Sequence, residues 1–350
     1  MTLTTTETFS TIAPILPKST LLSKMSLNAE ASATFLQFLI PGQAQALHQT
    51  SRAHRDQITP DKFMKIRLEC KDALSYQDIQ LYKNLTNASL RSSKIFHLNL
   101  GGASISDTQV VELLDNFPAL TSLVLNHKGV MEQGFNKTFE KIVHLGFQNI
   151  SITDPQLIQC LQRFPNVESL NFFSISQLTN TGFQNAMNFV PHLKNLYMNT
   201  SIFSAGTFEL QDEDLIEVAK KHPDLQTLEI EGCDLNGTTL RAVADQLSDL
   251  RTLNIKDCSQ ITGEDLIYLA KKCPRLETLI IGRNSSLNSS NFRQIMEHCS
   301  KLQYLDVTSC KELKGDDLIF ATNACPALHT LNHSVKEFVF NNRNNFKRLS

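Results

Sequence analysis

The residues of this chain best suited to chemistry are its cysteines, histidines and acidic clusters. The eight cysteines are Cys70, Cys160, Cys233, Cys258, Cys273, Cys299, Cys310 and Cys325. No two form a C-x-x-C pair, and no Cys/His set has the spacing of a zinc site. Cys233, Cys258 and Cys310 instead each fall eight residues after the first leucine of a leucine-rich phrase, and Asn284 takes that place in the phrase between. A buried thiol behaves as a small apolar group, so this column reads as packing. Free thiols also fit a reducing compartment. His97 and His144 occupy equivalent places in two similar phrases. Two imidazoles without a third donor do not define a metal site, and copying of one ancestral unit accounts for them. Asp212-Glu213-Asp214 opens a helix, where carboxylates favour the dipole. The signatures G-x-x-x-x-G-K-[ST], G-x-G-x-x-G before a helix, H-E-x-x-H and G-x-S-x-G are missing. The sequence therefore predicts a non-enzyme, with no catalytic residue, no cofactor and no metal.

The elements that carry these residues repeat. Ten units begin near Lys94, Ala119, Lys141, Asn166, His192, Asp224, Asp249, Arg275, Lys301 and Ala327, most of them 25 or 26 residues long. The first half of each unit is L-x-x-L-x-L/I, as in Leu250, Leu253 and Ile255, and its end alternates as a strand with one buried face does. The second half has helical period, as in Leu266, Leu269, Ala270 and Cys273. Thr262 with Asp265 three residues on gives a helix start, and Cys273-Pro274 gives a stop. One strand and one helix of this size cannot bury their own apolar face, but stacked neighbours can. The leucines repeat because each meets the leucine of the next turn.

On these residues, over about 94–333, the chain resembles a leucine-rich repeat protein of the cysteine-containing subtype, the kind joined to F-box motifs in ubiquitin-ligase receptors. The resemblance implies an α/β solenoid, a horseshoe with parallel strands on the concave face and helices on the convex face. Residues 1–25, rich in Ser and Thr, are expected to be disordered, and 334–350 to form a C-terminal cap or tail. Residues 26–93 are expected to be helical. "ASATFLQFLIPGQAQALHQTSRAHRDQI" (31–58) gives two helices around Pro41-Gly42, and "TPDKFMKIRLECKDAL" (59–74) gives another. The first stretch resembles a degenerate F-box, with Ile40-Pro41 at its Leu-Pro position, or else it caps the first repeat. As an F-box it would dock on a Skp-type adaptor through Phe35, Leu36, Leu39, Ile40, Pro41 and Leu47. The array would then hold a target protein near a cullin ubiquitin ligase. The alternative is a binding scaffold whose N-terminal helices only cap the solenoid. In a bacterium living inside eukaryotic cells, such a receptor would act in the host cytoplasm.

Outward strand positions line the expected binding face. Phe173, Tyr197, Ile280 and Tyr304 are the aromatic and large apolar residues there, joined by Glu229, Asn254 and Asp306. Such side chains anchor interfaces. An insertion near Ser201–Gln211, with Phe203 and Phe208, offers a second contact. A net charge of −2 supplies no global field for nucleic acid or an anionic membrane. No apolar run reaches the length of about 20 residues that a membrane helix needs. The start lacks the basic and apolar regions of a secretory signal. The expectation is a cytoplasmic protein, monomeric outside its complex, with protein partners.

Overall fold

The computed structural model describes residues 96–100, 106–125, 137–198 and 208–335, and the backbone of 25–26, 66–70, 95, 199, 338–341 and 345–348. The chain divides into two compact units. One comprises Met1–Ile105 with Glu112–Leu120, the other Ser106–Val111 with Thr121–Ser350.

In the first unit, β1 (Met25–Ser26) runs antiparallel to β2 (Ile66–Cys70). β2 lies parallel to β3 (Ile95–Asn99), with a register shift between Ile66 and Arg67. The segment 66–70, expected to be helical, is therefore a strand. Its Ile66-x-Leu68-x-Cys70 alternation has the period of two that suits pairing with β3. Helix α1 follows (Asp107–Asn116), its residues up to Val111 counted with the second unit and the rest with the first.

The second unit carries the repeats. Its strands are β4 (Ser122–Leu125), β5 (His144–Ser151), β6 (Ser169–Ser176), β7 (Asn195–Asn199), β8 (Thr227–Glu229), β9 (Thr252–Asn254), β10 (Thr278–Ile280), β11 (Tyr304–Asp306) and β12 (Thr330–Asn332). They lie side by side in chain order, every neighbouring pair parallel. The helices between them are α2 (Asp154–Leu161), α3 (Asn180–Ala186), α4 (Asp212–Lys221), α5 (Gly237–Gln246), α6 (Gly263–Lys272), α7 (Ser289–His298) and α8 (Gly315–Ala324). After β12 comes an antiparallel hairpin of β13 (Phe338–Asn341) and β14 (Asn345–Arg348).

The register explains the repeated leucines. Leu228, Leu253, Leu279, Leu305 and Leu331 stand level across five strands, and each is buried. Burying one such side chain is worth about 1.5–3 kcal/mol, which a lone repeat could not obtain. Phenylalanines fill the wider early repeats. Phe147 stacks on Phe172 at 5.5 Å, Phe172 meets Phe183 edge-on at 5.8 Å, and Phe183 meets Phe208 at 5.1 Å.

Each later strand leaves the sheet by the same turn. Gly232, Asp257, Arg283 and Ser309 all adopt left-handed backbone, with φ of 75°, 63°, 62° and 64°. The amide of Gly232 donates to the Lys256 carbonyl at 2.9 Å, that of Asp257 to Gly282 at 3.2 Å, and that of Arg283 to Thr308 at 2.7 Å. Each turn is thus bonded to the next repeat. The column that follows behaves as the sequence implies. Cys258 Sγ donates to the Ile230 carbonyl at 3.4 Å and Cys310 Sγ to Ile281 at 3.5 Å, while Asn284 Nδ2 donates to Ile261 at 3.0 Å.

The helix starts are tied together as well. Asp265 accepts from the Thr262 amide at 2.9 Å, completing the capping box of α6, and from Arg241 Nε of α5 at 2.7 Å. Asp317 accepts from the Lys314 amide at 3.0 Å, from Ser289 Oγ at 2.6 Å and from Arg293 Nε at 2.9 Å. At the helix ends, Phe164, Val190, Leu247, Cys273, Cys299 and Cys325 form a buried column. His222 stands in that column at the end of α4 and is 4% exposed.

Candidate functional site

The strands of the second unit turn one side to the helices and the other away from them. On the outward side, pairing sets Asn171, Tyr197, Glu229, Asn254, Ile280, Asp306 and Asn332 in a single row. The neighbouring row holds Ser169, Asn195, Thr227, Thr252, Thr278, Tyr304 and Thr330. Five of the seven residues singled out from sequence therefore share one row. Tyr304 stands in the adjoining one, and Phe173 lies level with Gln148 and Asn199 at the far end of the early strands.

Six of the seven are half-buried and the seventh, Asn254, is buried at 7% exposure. The anchors are thus less open than outward strand positions suggested. Strands lie about 4.8 Å apart, so each side chain is flanked by those of two neighbours. Asn254 Oδ1 accepts from the Lys256 amide at 3.1 Å, and its amide hydrogen-bonds Glu229. It orders the row more than it offers contact. Asn332 Nδ2 donates to Tyr304 Oη at 2.6 Å. Asp306 Oδ1 accepts from the Thr308 amide at 2.8 Å.

The electrostatics of the row centre on Glu229. Burial raises its carboxyl pKa, the Asn254 hydrogen bond opposes that, and the like charge of Glu231 raises it again. Burial also raises the Tyr197 phenol, with the Glu229 charge adding to the effect. Glu231 pairs with Lys256 at 3.1 Å, and Asp257 with Arg283 at 3.1 Å. The sequence marks Lys256 as an outward strand position but does not single out Arg283. Their signal is a spacing of one repeat from an acidic residue at or next to the same place in the preceding unit.

One other expectation changes. Phe208, offered as a contact of the insertion, is 6% exposed and packs on Phe183. It closes the phenylalanine stack, and its amide donates to the Ile175 carbonyl at 2.7 Å. In the first unit, His97 on β3 is as buried as Asn254, at 7% exposure. Phe203 and the adaptor residues Phe35, Leu36, Leu39, Ile40, Pro41 and Leu47 lie outside the described residues.

Among the described residues, no group of three or more His, Cys, Asp or Glu is placed to hold a metal ion. No helix among them is long and apolar enough to cross a membrane. What the face can do is bind another surface through aromatic, aliphatic and acidic side chains.

Known proteins agree with this architecture. A chain of the yeast Rad7 and Elc1 complex superposes with a TM-score of 0.55 at 17% identity, covering 91% of this chain and 89% of that one. F-box protein SKIP1 of Arabidopsis thaliana is 28% identical over 100 residues, which is 28% of this chain and 32% of that protein. F-box protein SKIP19 of the same plant is 24% identical over 130 residues, 37% of this chain and 42% of that protein. The chain is a leucine-rich repeat protein resembling the F-box/leucine-rich-repeat proteins. It spans less than half the length of these two plant F-box relatives, and no family model matches it. In leucine-rich repeat terms, the row from Asn171 to Asn332 lies on the strand side of the solenoid, and Cys233, Cys258, Asn284 and Cys310 occupy the turn that follows the strand.

Proposed function

We propose that this protein is an F-box-type substrate receptor, which tethers a target protein to a Skp/cullin ubiquitin ligase. The observation that carries the reading is the likeness to F-box proteins joined to a repeat array with an ordered, outward row of binding side chains. The mechanism is proximity. A target held on the strand face reaches a high effective concentration at a catalytic partner, and the receptor itself performs no bond chemistry. Phe35, Leu36, Leu39, Ile40, Pro41 and Leu47 would contact the adaptor, and Phe173, Tyr197, Glu229, Asn254, Ile280, Tyr304 and Asp306 the target.

The test is a pulldown of the full chain with a recombinant Skp-family adaptor across a range of salt. Saturable binding that is lost on Leu47→Asp, with an unchanged melting temperature, is the expected result. No binding at micromolar concentration, or a Leu47→Asp variant that only melts earlier, would establish the second reading. In that reading the N-terminal segment caps the array and the protein is a binding scaffold.

A further inference from the structure

The outward row contains two acidic residues that have no counter-ion among the described residues. Around them the acids are neutralised: Glu231 by Lys256, Asp257 by Arg283, Glu277 by Arg251 and Asp249 by Arg275. Glu229 is met by a neutral amide, that of Asn254. Asp306 is met by a backbone N–H, that of Thr308. Among the described residues no cation lies within ion-pair distance of either. Both carboxylates are half-buried on the sheet face turned away from the helices, where a charge gains more from a counter-ion than it would in open solvent.

Their separation follows from the pairing. β8 and β11 are three strand steps apart, which at about 4.8 Å per step is about 14 Å. Asn254 and Ile280 stand between them in the row, and Tyr197 and Asn332 flank the ends. A segment crossing the strands along this row meets, in order, an acid, an amide, an apolar side chain and an acid. An extended peptide advances about 3.3 Å per residue and turns alternate side chains to the same side. Its residues i and i+4 are therefore about 13 Å apart on one side, and residue i+2 falls between Asn254 and Ile280.

We propose that the strand face takes an extended segment of a partner protein carrying Lys or Arg at positions i and i+4, one over Glu229 and one over Asp306, with a small or apolar residue at i+2. The proposal rests on the reading of the strand face as the target-binding surface. It adds the chemistry of the target: a cationic, extended stretch of protein whose charge spacing matches the strand spacing. Tyr197 beside Glu229 strengthens that end, because an aromatic face next to a carboxylate suits an alkyl-ammonium or guanidinium group.

The full chain, immobilised, is panned with a display library of random twelve-residue peptides. Selected peptides are then measured by fluorescence anisotropy against three proteins: wild type, Glu229→Gln with Asp306→Asn, and Tyr197→Ala with Ile280→Ala. Thermal melts confirm that all three are folded. Selected peptides are expected to carry paired Lys or Arg four residues apart, to bind more weakly as salt rises, and to lose about tenfold in affinity on the double amide variant. Moving the second cation to i+3 should lose as much. Peptides that depend on Tyr197 and Ile280 but show no paired cations, or ignore the amide variant, overturn this inference and leave the strand face as the target site. Peptides indifferent to both variants overturn the inference and the strand-face reading together. A library that yields no binder overturns the inference, since an extended segment is the occupant it commits to.

Discussion

At the scale of single residues, His222 sits in a column that other repeats fill with Phe, Val, Leu or Cys. Burial lowers its pKa to about 4, with the neighbouring Lys221 charge acting in the same direction. An unfolded chain binds that proton near pH 6.5, so protonation favours unfolding. The stability from a neutral His222 is complete above about pH 6.5 and is lost as pH falls toward 4. Between pH 7 and pH 5 the loss should be on the order of 2 kcal/mol. Urea titrations of wild type and His222→Leu at both pH values check this, and a leucine variant that keeps the full slope would exclude His222 as its source. The cysteines give a second residue-scale prediction. Burial raises the Cys258 and Cys273 thiols to about 12 and Cys325 to about 11, and moves Cys160, Cys299 and Cys310 the same way. A thiolate is the reactive form, so these sulfurs should be inert while the chain is folded. In a Cys70→Ser variant, a thiol reagent at pH 8 should find no fast-reacting cysteine until denaturant is added.

At the scale of elements, helix starts are fitted to their neighbours. Gly237, the first residue of α5, faces the Asp265 carboxylate of the next repeat so closely that a methyl group would strike it. Gly237→Ala should therefore destabilise the array even though alanine favours helix, by about 1–3 kcal/mol in urea unfolding. Asp265→Ala should cost about 2–4 kcal/mol, since it removes a cap and the partner of Arg241. The carboxyl pKa of Asp265 is lowered by its Thr262 and Arg241 hydrogen bonds, against the burial that opposes them. Its contribution is thus present above the ordinary carboxylate range and fades as pH falls below it. Much of this level was legible in sequence. The alternation at Leu250–Ile255, the Thr262 cap and the column of Cys258, Asn284 and Cys310 are local signals, and local signals suffice where each unit repeats the next. What failed was non-local. Ile66–Cys70 sits among Lys, Met and Leu residues that favour helix, and its pairing with β3 outweighs them. Nothing in the insertion shows that Phe208 turns inward, because its partner Phe183 lies a repeat away. Asn171 is exposed and Asn254 is buried in the same row, a difference set by the side chains on adjacent strands.

At the scale of the whole molecule, the later strands stand at a fixed offset of 26 residues, Thr252 level with Thr278, Tyr304 and Thr330. Excising 249–274 removes one full period and joins matching surfaces. That deletion should express as a folded, cooperatively melting protein, whereas removing 249–261 should not. Circular dichroism melts of the two deletion variants check it: a broad, non-cooperative transition for both would mean that the repeats are not interchangeable. The bonds from the Gly232, Asp257 and Arg283 turns have a mechanical side. Each joins one repeat to the next, so a chain pulled by its two ends would carry the load across these bonds in series. Failure of one releases a single unit and leaves its neighbours seated. Stretched in a force instrument, the array should lengthen in a sawtooth of about 9 nm per tooth, the contour of one 26-residue period, and yield as a graded spring.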